Sequence, residues 1–283
     1  MPERITADHF KLQNPEETVE RIKRFLRTHK ERTRARIFVL GLSGGLDSSV
    51  TAALCSLAIG GGNIIGVSMP EKETWSKNSI EDARLVAGKF GVRFKLVDIT
   101  GLTAATQLIS EMKRKRGDRV AFGNVKARLR AVILYYFANL YGGLVVGTGD
   151  KSELMLGYFT KYGDGACDLE PLGDLYKTTV VHLAKHLQIP ARVAAKQASP
   201  GLWPGQTAEE ELGLGYEKLD MVLWGLERWM SPEDIAQDTG LPMKSINRVR
   251  TRWMNSEHKR RPPLSLKMGH RTAGSDLRLP YSV

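Results

Sequence analysis

The stretch Arg36-Ile-Phe-Val-Leu-Gly41-Leu-Ser-Gly-Gly-Leu-Asp47-Ser-Ser-Val50 constrains the fold more than any other: a short apolar run enters a turn of glycine and serine and leaves as an apolar helix. That order builds an anion site. The first backbone N–H groups of a helix have no partner within it, and the helix dipole puts positive potential at the same end. Gly44 and Gly45 let the backbone approach a phosphate with no Cβ in the way. Ser43, Ser48 and Ser49 add hydroxyl donors, and Asp47 offers a hard oxygen ligand for a magnesium ion bridging phosphate oxygens.

Two common phosphate loops are excluded. No lysine stands between Gly41 and Thr51, as the G-x-x-x-x-G-K-[ST] pattern requires. The spacing of Gly41, Gly44 and Gly45 does not fit the dinucleotide pattern G-x-G-x-x-G. Ser43-Gly-Gly-Leu-Asp47-Ser48 instead resembles the S-G-G-x-D-S loop of ATP pyrophosphatases, which split ATP between its α- and β-phosphates. An ordinary strand–turn–helix corner would not account for Gly, Ser and Asp together directly after a strand.

The remaining pattern alternates strand and helix, which predicts an α/β fold: a parallel sheet with helices on both faces. Strands are expected at residues 37–40, 63–69, 93–98 and 144–147, and helices at 15–33, 48–59, 78–90 and 126–140. The apolar band of the 126–140 helix is wide enough to bury against either the sheet or a second subunit. Ligands of such sheets bind at the carboxyl ends of the strands, so the loops at 41–48 and 147–153 imply one shared site. Residues 201–206 read as a flexible loop.

A chain of 283 residues with 42% hydrophobic and 26% charged content is that of a soluble globular protein. No run approaches the ~18 apolar residues of a membrane span, and the opening Met1-Pro-Glu-Arg-Ile lacks a signal-peptide core, so a cytoplasmic location is expected. The two cysteines, Cys55 and Cys167, have no nearby partners for zinc or a redox pair, and Cys55 falls on an apolar helix as a core residue. A net charge of +11 attracts polyanions, whether nucleic acid or phosphate-rich small substrates. Residues 231–250 carry the pattern of a helix-turn-helix with a basic second helix, which keeps DNA binding as a competing reading.

The segment Gly147-Thr-Gly-Asp-Lys-Ser-Glu153-Leu-Met-Leu-Gly-Tyr158-Phe-Thr-Lys161-Tyr-Gly-Asp164-Gly-Ala-Cys-Asp168 resembles the ammonia-dependent NAD synthetase family. Pro171-Leu, Lys177, the Asn124-Val-Lys-Ala-Arg128 segment and Glu257-His258-Lys259-Arg260 extend the resemblance in the same order over most of residues 15–265. It implies a Rossmann-like adenine-nucleotide alpha hydrolase fold. Gly41, Leu42, Ser43, Gly44, Gly45, Leu46, Asp47 and Ser48 would hold the ATP pyrophosphate, with Thr148, Lys177 and Ser199 also touching ATP. Asp47 and Glu153 match magnesium ligands; Arg128, Lys161, Asp168, His258 and Lys259 match positions that bind deamido-NAD. Asp47 and Lys177 are the catalytic candidates, Lys177 by stabilising charge as pyrophosphate leaves. Asp164 is read as orienting substrate.

The resemblance further implies one domain over 1–283, with a helical C-terminal segment from about 208 to 265 and no amidase domain. Free ammonia is then the expected nitrogen donor, and deamido-NAD, activated by ATP, the acceptor. Family members are homodimers with the dinucleotide at the interface. Other ATP pyrophosphatase ligases, for GMP, argininosuccinate or tRNA thiolation, are the nearer alternatives. The loop at 160–165 and the Glu-His-Lys-Arg tail speak against them.

Overall fold

The computed structural model describes residues 4–74, 76–273 and 276–277. After a leading helix α1 (Pro15–Thr33) come β1 (Phe38–Gly41), α2 (Leu46–Ile59), β2 (Ile64–Ser68), α3 (Lys77–Phe90) and β3 (Arg93–Leu96). A short α4 (Thr100–Thr106) and the long α5 (Arg119–Tyr141) precede β4 (Leu144–Val145). Then follow α6 (Lys151–Leu156), α7 (Lys177–His186), α8 (Ala191–Ala194), α9 (Ala208–Leu212), α10 (Tyr216–Glu227), α11 (Pro232–Thr239), α12 (Met243–Asn255) and α13 (Glu257–Arg260).

The four strands form one parallel sheet in the order β3-β2-β1-β4. Alternation along the strands sorts the core. Phe38, Leu40 and Ile64 face one way, into a core shared with Val19 and Leu26 of α1, Val50 and Leu54 of α2, and Val180 and Leu183 of α7. Val39, Ile65 and Val67 face the other way, onto Ile133, Phe137 and Ala138 of α5. Strands buried on both faces read as continuous apolar runs, as β1 and β2 do. Cys55 is fully buried in the first core.

Most element boundaries shift by one or two residues from the sequence expectation, and those of β4 and α5 have a visible cause. β4 stops at Val145 rather than 147, because Val146 forms an isolated parallel bridge with Leu169 and Gly147 N–H donates to the Leu169 carbonyl at 2.8 Å. The chain thereby turns off the sheet toward the later loop. α5 begins at Arg119 rather than 126, and Gly123 within its added turns is where Leu202 and Trp203 pack close.

A separate apolar core lies under the C-terminal helices. Leu219, Val222 and Leu223 of α10, Ile235 of α11 and Ile246 and Val249 of α12 bury against Met155 and Leu156 of α6. The helix pair read as a DNA-binding motif exists, with Gly240 in the left-handed region (φ 67°) between α11 and α12. Its apolar residues belong to this core, and Arg252 of α12 donates to the Leu156 carbonyl at 3.1 Å. The pair thus docks onto the loop region after β4. Among the described residues no helix is long and apolar enough to cross a membrane.

Candidate active site

At the carboxyl ends of β1, β2 and β4 opens a cavity of about 450 Å³. Its floor is the glycine-serine loop. Gly44 adopts φ +76°, and a Cβ there would lie 2.3 Å from the Ser79 carbonyl oxygen, so only glycine fits. Gly45 N–H donates to Ser43 Oγ at 3.2 Å, and the Ser43 and Ser48 hydroxyls are 3.1 Å apart. Ser49 differs from its expected role: it is fully buried and donates to the Gly45 carbonyl at 2.6 Å, closing the first turn of α2 rather than facing a ligand. Lys196 braces the loop, its ammonium 3.0 Å from the Gly44 carbonyl and 2.5 Å from Asp82 of α3.

The second strand-end loop brings the acids. Asp150 caps α6: its Oδ1 accepts the Glu153 N–H at 2.8 Å, and the Glu153 carboxylate accepts the Asp150 N–H at 3.4 Å. This capping box fixes Glu153 in the first turn, and α7 begins beside it with Lys177. The Lys177 ammonium reaches Asp150 at 2.7 Å, Asp47 at 2.8 Å and Glu153 at 3.0 Å. Both helix starts are held by Asp220 of α10, which accepts from Ser152 Oγ at 2.5 Å and from Thr178 N–H at 2.9 Å and Oγ1 at 2.6 Å.

Charge decides what this cluster can do. Burial alone would depress the Lys177 ammonium, but Asp150, Asp47 and Glu153 overcome it and hold that group well above the usual lysine range. Glu153 is pushed well up, by burial first and then by repulsion from Asp150. With all three carboxylates ionised, they exceed the one ammonium by two negative charges, the complement of a divalent cation and the condition under which Glu153 would give up its proton. The donor atoms of Asp47, Asp150 and Glu153 lie within 4.8 Å of one another, and the buried Asp47 Oδ1 has no hydrogen-bond partner. Hard oxygens, an unused buried acceptor and excess negative charge all fit magnesium.

Asp150 was missed in the sequence, where it sat at a position of the resemblance carrying no role. Its signal was local: an Asp three residues before a Glu at a helix start is a capping box.

The expected ATP-binding residues fall together. Gly41 through Ser48, Thr148, Lys177 and Ser199 all line the cavity, as does the expected metal ligand Glu153. The Ser199 hydroxyl donates within its own loop, to the Gln206 carbonyl at 2.6 Å. Asp164 also lines the cavity and clamps its loop by accepting the Thr160 N–H at 2.8 Å.

The residues expected to bind the second substrate form a different group beside it. Arg128 of α5 donates to the Lys161 carbonyl at 3.3 Å, and Lys161 donates to the His258 carbonyl at 2.6 Å. Lys259 donates to the Gly157 and Phe159 carbonyls, each at 2.7 Å. So α5, the 157–163 loop and α13 are tied at one place, where Arg128 and His258 are exposed. Asp168 stands apart, accepting the Val145 N–H at 2.7 Å and the Tyr135 hydroxyl at 3.2 Å.

A family model for NAD synthase matches residues 18–263. The chain belongs to the NAD synthase family. It is 46% identical to the NH(3)-dependent NAD(+) synthetase of Methanocaldococcus jannaschii, over 88% of this chain and 95% of that protein. Against the NH(3)-dependent NAD(+) synthetase of Hyperthermus butylicus identity is 42%, over 92% and 94%. Among solved structures, an NMN synthetase from Francisella tularensis superimposes with a TM-score of 0.78 at 30% identity, covering 90% of this chain and 99% of that one. An NH3-dependent NAD synthetase from Campylobacter jejuni in complex with nitrate gives 0.75 at 29%, covering 90% and 100%. Family membership removes the other ATP pyrophosphatase ligases as readings and makes the parallel sheet that of the NAD synthetases.

Proposed function

We propose that the protein is an ammonia-dependent NAD synthetase: it amidates deamido-NAD with ammonia, splits ATP to AMP and pyrophosphate, and so performs the last step of NAD formation. The observation that carries this reading is the meeting of two strand-end loops, one a glycine-serine phosphate loop and the other an acid cluster, in a chain 46% identical to an NH(3)-dependent NAD(+) synthetase.

The chemistry follows from what a carboxylate lacks. Its oxygen is a poor leaving group and its charge repels a nucleophile, so ammonia cannot displace it directly. Attack of the nicotinate carboxylate on the α-phosphate makes an adenylate, which ammonia then converts to the amide. Gly44, Gly45, Ser43 and Ser48, which line the cavity, would hold the phosphates through backbone N–H and hydroxyl groups that now bond one another within the loop, the positioning this step requires. Asp47, Asp150 and Glu153 would hold Mg²⁺, which when bound neutralises phosphate charge. Lys177, kept protonated, would offset charge on the departing pyrophosphate. Thr148 and Ser199 would complete the ATP contacts, and Asp164 would orient substrate. Arg128, Lys161, Asp168, His258 and Lys259 would receive the dinucleotide, whose diphosphate suits cations.

We read the chain as a single domain, cytoplasmic, and active as a homodimer. Support for the dimer comes from α5, where Val132, Tyr136 and Leu140 are 65%, 60% and 55% exposed at spacing that puts them on one stripe. Nothing in the docking of α11 and α12 calls for nucleic acid.

The test is NAD formation from ATP, ammonia, Mg²⁺ and deamido-NAD by the purified protein, with nicotinate mononucleotide as the competing acceptor because the Francisella neighbour is an NMN synthetase. NAD and equimolar AMP are expected. Preference for the mononucleotide, or no AMP with either acceptor, overturns the reading.

A further inference from the structure

Among the described residues three cationic side chains line the cavity: Arg130, Lys177 and Lys196. Two are already neutralised. Lys177 is shared by Asp47, Asp150 and Glu153, and Lys196 is paired with Asp82, which also holds Arg192 at 2.6 Å. Arg130 differs. Its guanidinium makes only two long hydrogen bonds, from Nε to the Met69 carbonyl at 3.4 Å and from Nη2 to the Gly201 carbonyl at 3.5 Å. No carboxylate lies within ion-pair distance of it among the described residues. The two acids whose charge reaches it, Asp164 and Glu71, are otherwise engaged: Glu71 accepts from Lys126 at 2.7 Å, and Asp164 accepts from the Thr160 N–H.

A largely enclosed guanidinium without a counter-ion is costly, and burial lowers the Arg130 pKa accordingly. Its position explains why such a charge is kept. Met69 follows β2, next to the phosphate loop that follows β1, and Gly201 belongs to the same loop as Ser199. The fork therefore lies in the cavity wall between the end of β2 and the 196–206 loop, with unused N–H donors. Arginine presents a planar set of donors matched to two phosphate oxygens.

We propose that Arg130 is a phosphate-binding residue of this site, whose missing counter-ion is a phosphate group of a bound nucleotide. The proposal rests on the cavity being the nucleotide site described above. ATP and deamido-NAD both carry the required phosphate. When either binds, the guanidinium exchanges two stretched carbonyl contacts for charge-assisted ones.

The test is equilibrium binding of ATP, deamido-NAD and adenosine to the wild-type protein, Arg130→Met and Arg130→Lys, with the thermal midpoint of each ligand-free protein. Arg130→Met is expected to bind a phosphate-bearing ligand at least about tenfold more weakly, with adenosine unaffected, the size of a lost charge-assisted pair. Its ligand-free Tm is expected to equal or exceed that of the wild type, because an unpaired charge has been removed; a bracing role would lower it. A loss confined to ATP places the contact on the triphosphate, and a loss confined to deamido-NAD places it on the dinucleotide. Arg130→Lys keeps the charge but not the fork, and should lose affinity severalfold for the same ligand. Should Arg130→Met fail to fold, the lysine variant decides. Unchanged affinity for both phosphate ligands, or equal loss for adenosine, overturns the proposal. Binding does not depend on turnover: a protein that binds ATP through Arg130 yet makes no NAD overturns the proposed reaction and leaves this assignment standing.

Discussion

Asp150 and Lys177 lie 2.7 Å apart, the carboxylate wholly buried and the ammonium nearly so. Burying that pair makes sense only because each also serves something else. Asp150 caps the helix that carries Glu153, and Lys177 starts the helix that Asp220 anchors. The pair therefore fixes the separation of the two helix starts at the site, and the negative charge left over is what a metal would answer.

Asp150→Asn removes one donor and one charge while an amide oxygen can still cap α6. Affinity for Mg²⁺ should fall roughly 10–100-fold. Titration with Mn²⁺ as a spectroscopic probe reads this directly, and undiminished affinity would remove Asp150 from the metal site.

Asp47→Asn should nearly abolish pyrophosphate release while leaving the circular dichroism spectrum unchanged, since the part-exposed Asp47 side chain lines the cavity and packs in none of the apolar cores. Turnover near the wild-type rate would end its assignment as a metal ligand.

Gly44→Ala should destroy nucleotide binding. A left-handed backbone costs a non-glycine residue about 1–2 kcal/mol, and here the new methyl also meets the Ser79 carbonyl, so the loop must move away from α3. Loss of ATP-induced thermal stabilisation, with a cooperative transition retained, is the expected outcome.

Glu170 lies beneath the second loop, its carboxylate so close to Gly149 that a Cβ there would come within 2.5 Å of Oε1. Burial pushes its carboxyl up to about 7, with Asp150 and Asp164 adding repulsion. The folded state thus holds a proton that the unfolded chain releases near 4.5. Stability contributed by this group is full below that value and is lost as pH rises through about 7. Glu170→Gln should therefore gain Tm relative to wild type at about pH 8 and show little difference at about pH 4. Parallel Tm–pH curves for the two proteins would contradict this environment.

Tyr136→Glu combined with Leu140→Arg should convert a dimer to monomers in sedimentation velocity, because both side chains are exposed on one stripe of α5. Monomeric wild-type protein, or a dimer indifferent to the change, would assign that stripe another role.

Local chemistry was legible where one short segment carries it. β1, the glycine turn and α2 were readable because apolar run, Gly44 and the following helix are contiguous. What sequence could not supply was partnership across long separations. Ser49 looked like a donor to ligand because nothing adjacent shows that its hydroxyl closes its own helix turn. Asp150 looked like a spacer because its importance comes from Lys177 and Asp47, distant in the chain. Arg130 likewise gains meaning only when the other cavity cations are found to be paired. β4 was overestimated because its successor, Leu169, lies beyond a long loop.

Arg260 has a consequence for the order in which the protein is made. It donates to the Leu154 and Met155 carbonyls at 2.8 and 2.9 Å, gripping the last turn of the helix whose first turn carries Glu153. Translation delivers the phosphate loop early, the acid helix midway and this grip near the end. A nascent chain can thus complete its sheet while α6 still lacks its fastening, so competence for the metal should arise as a late event in biogenesis, after the framework that will bear it already stands.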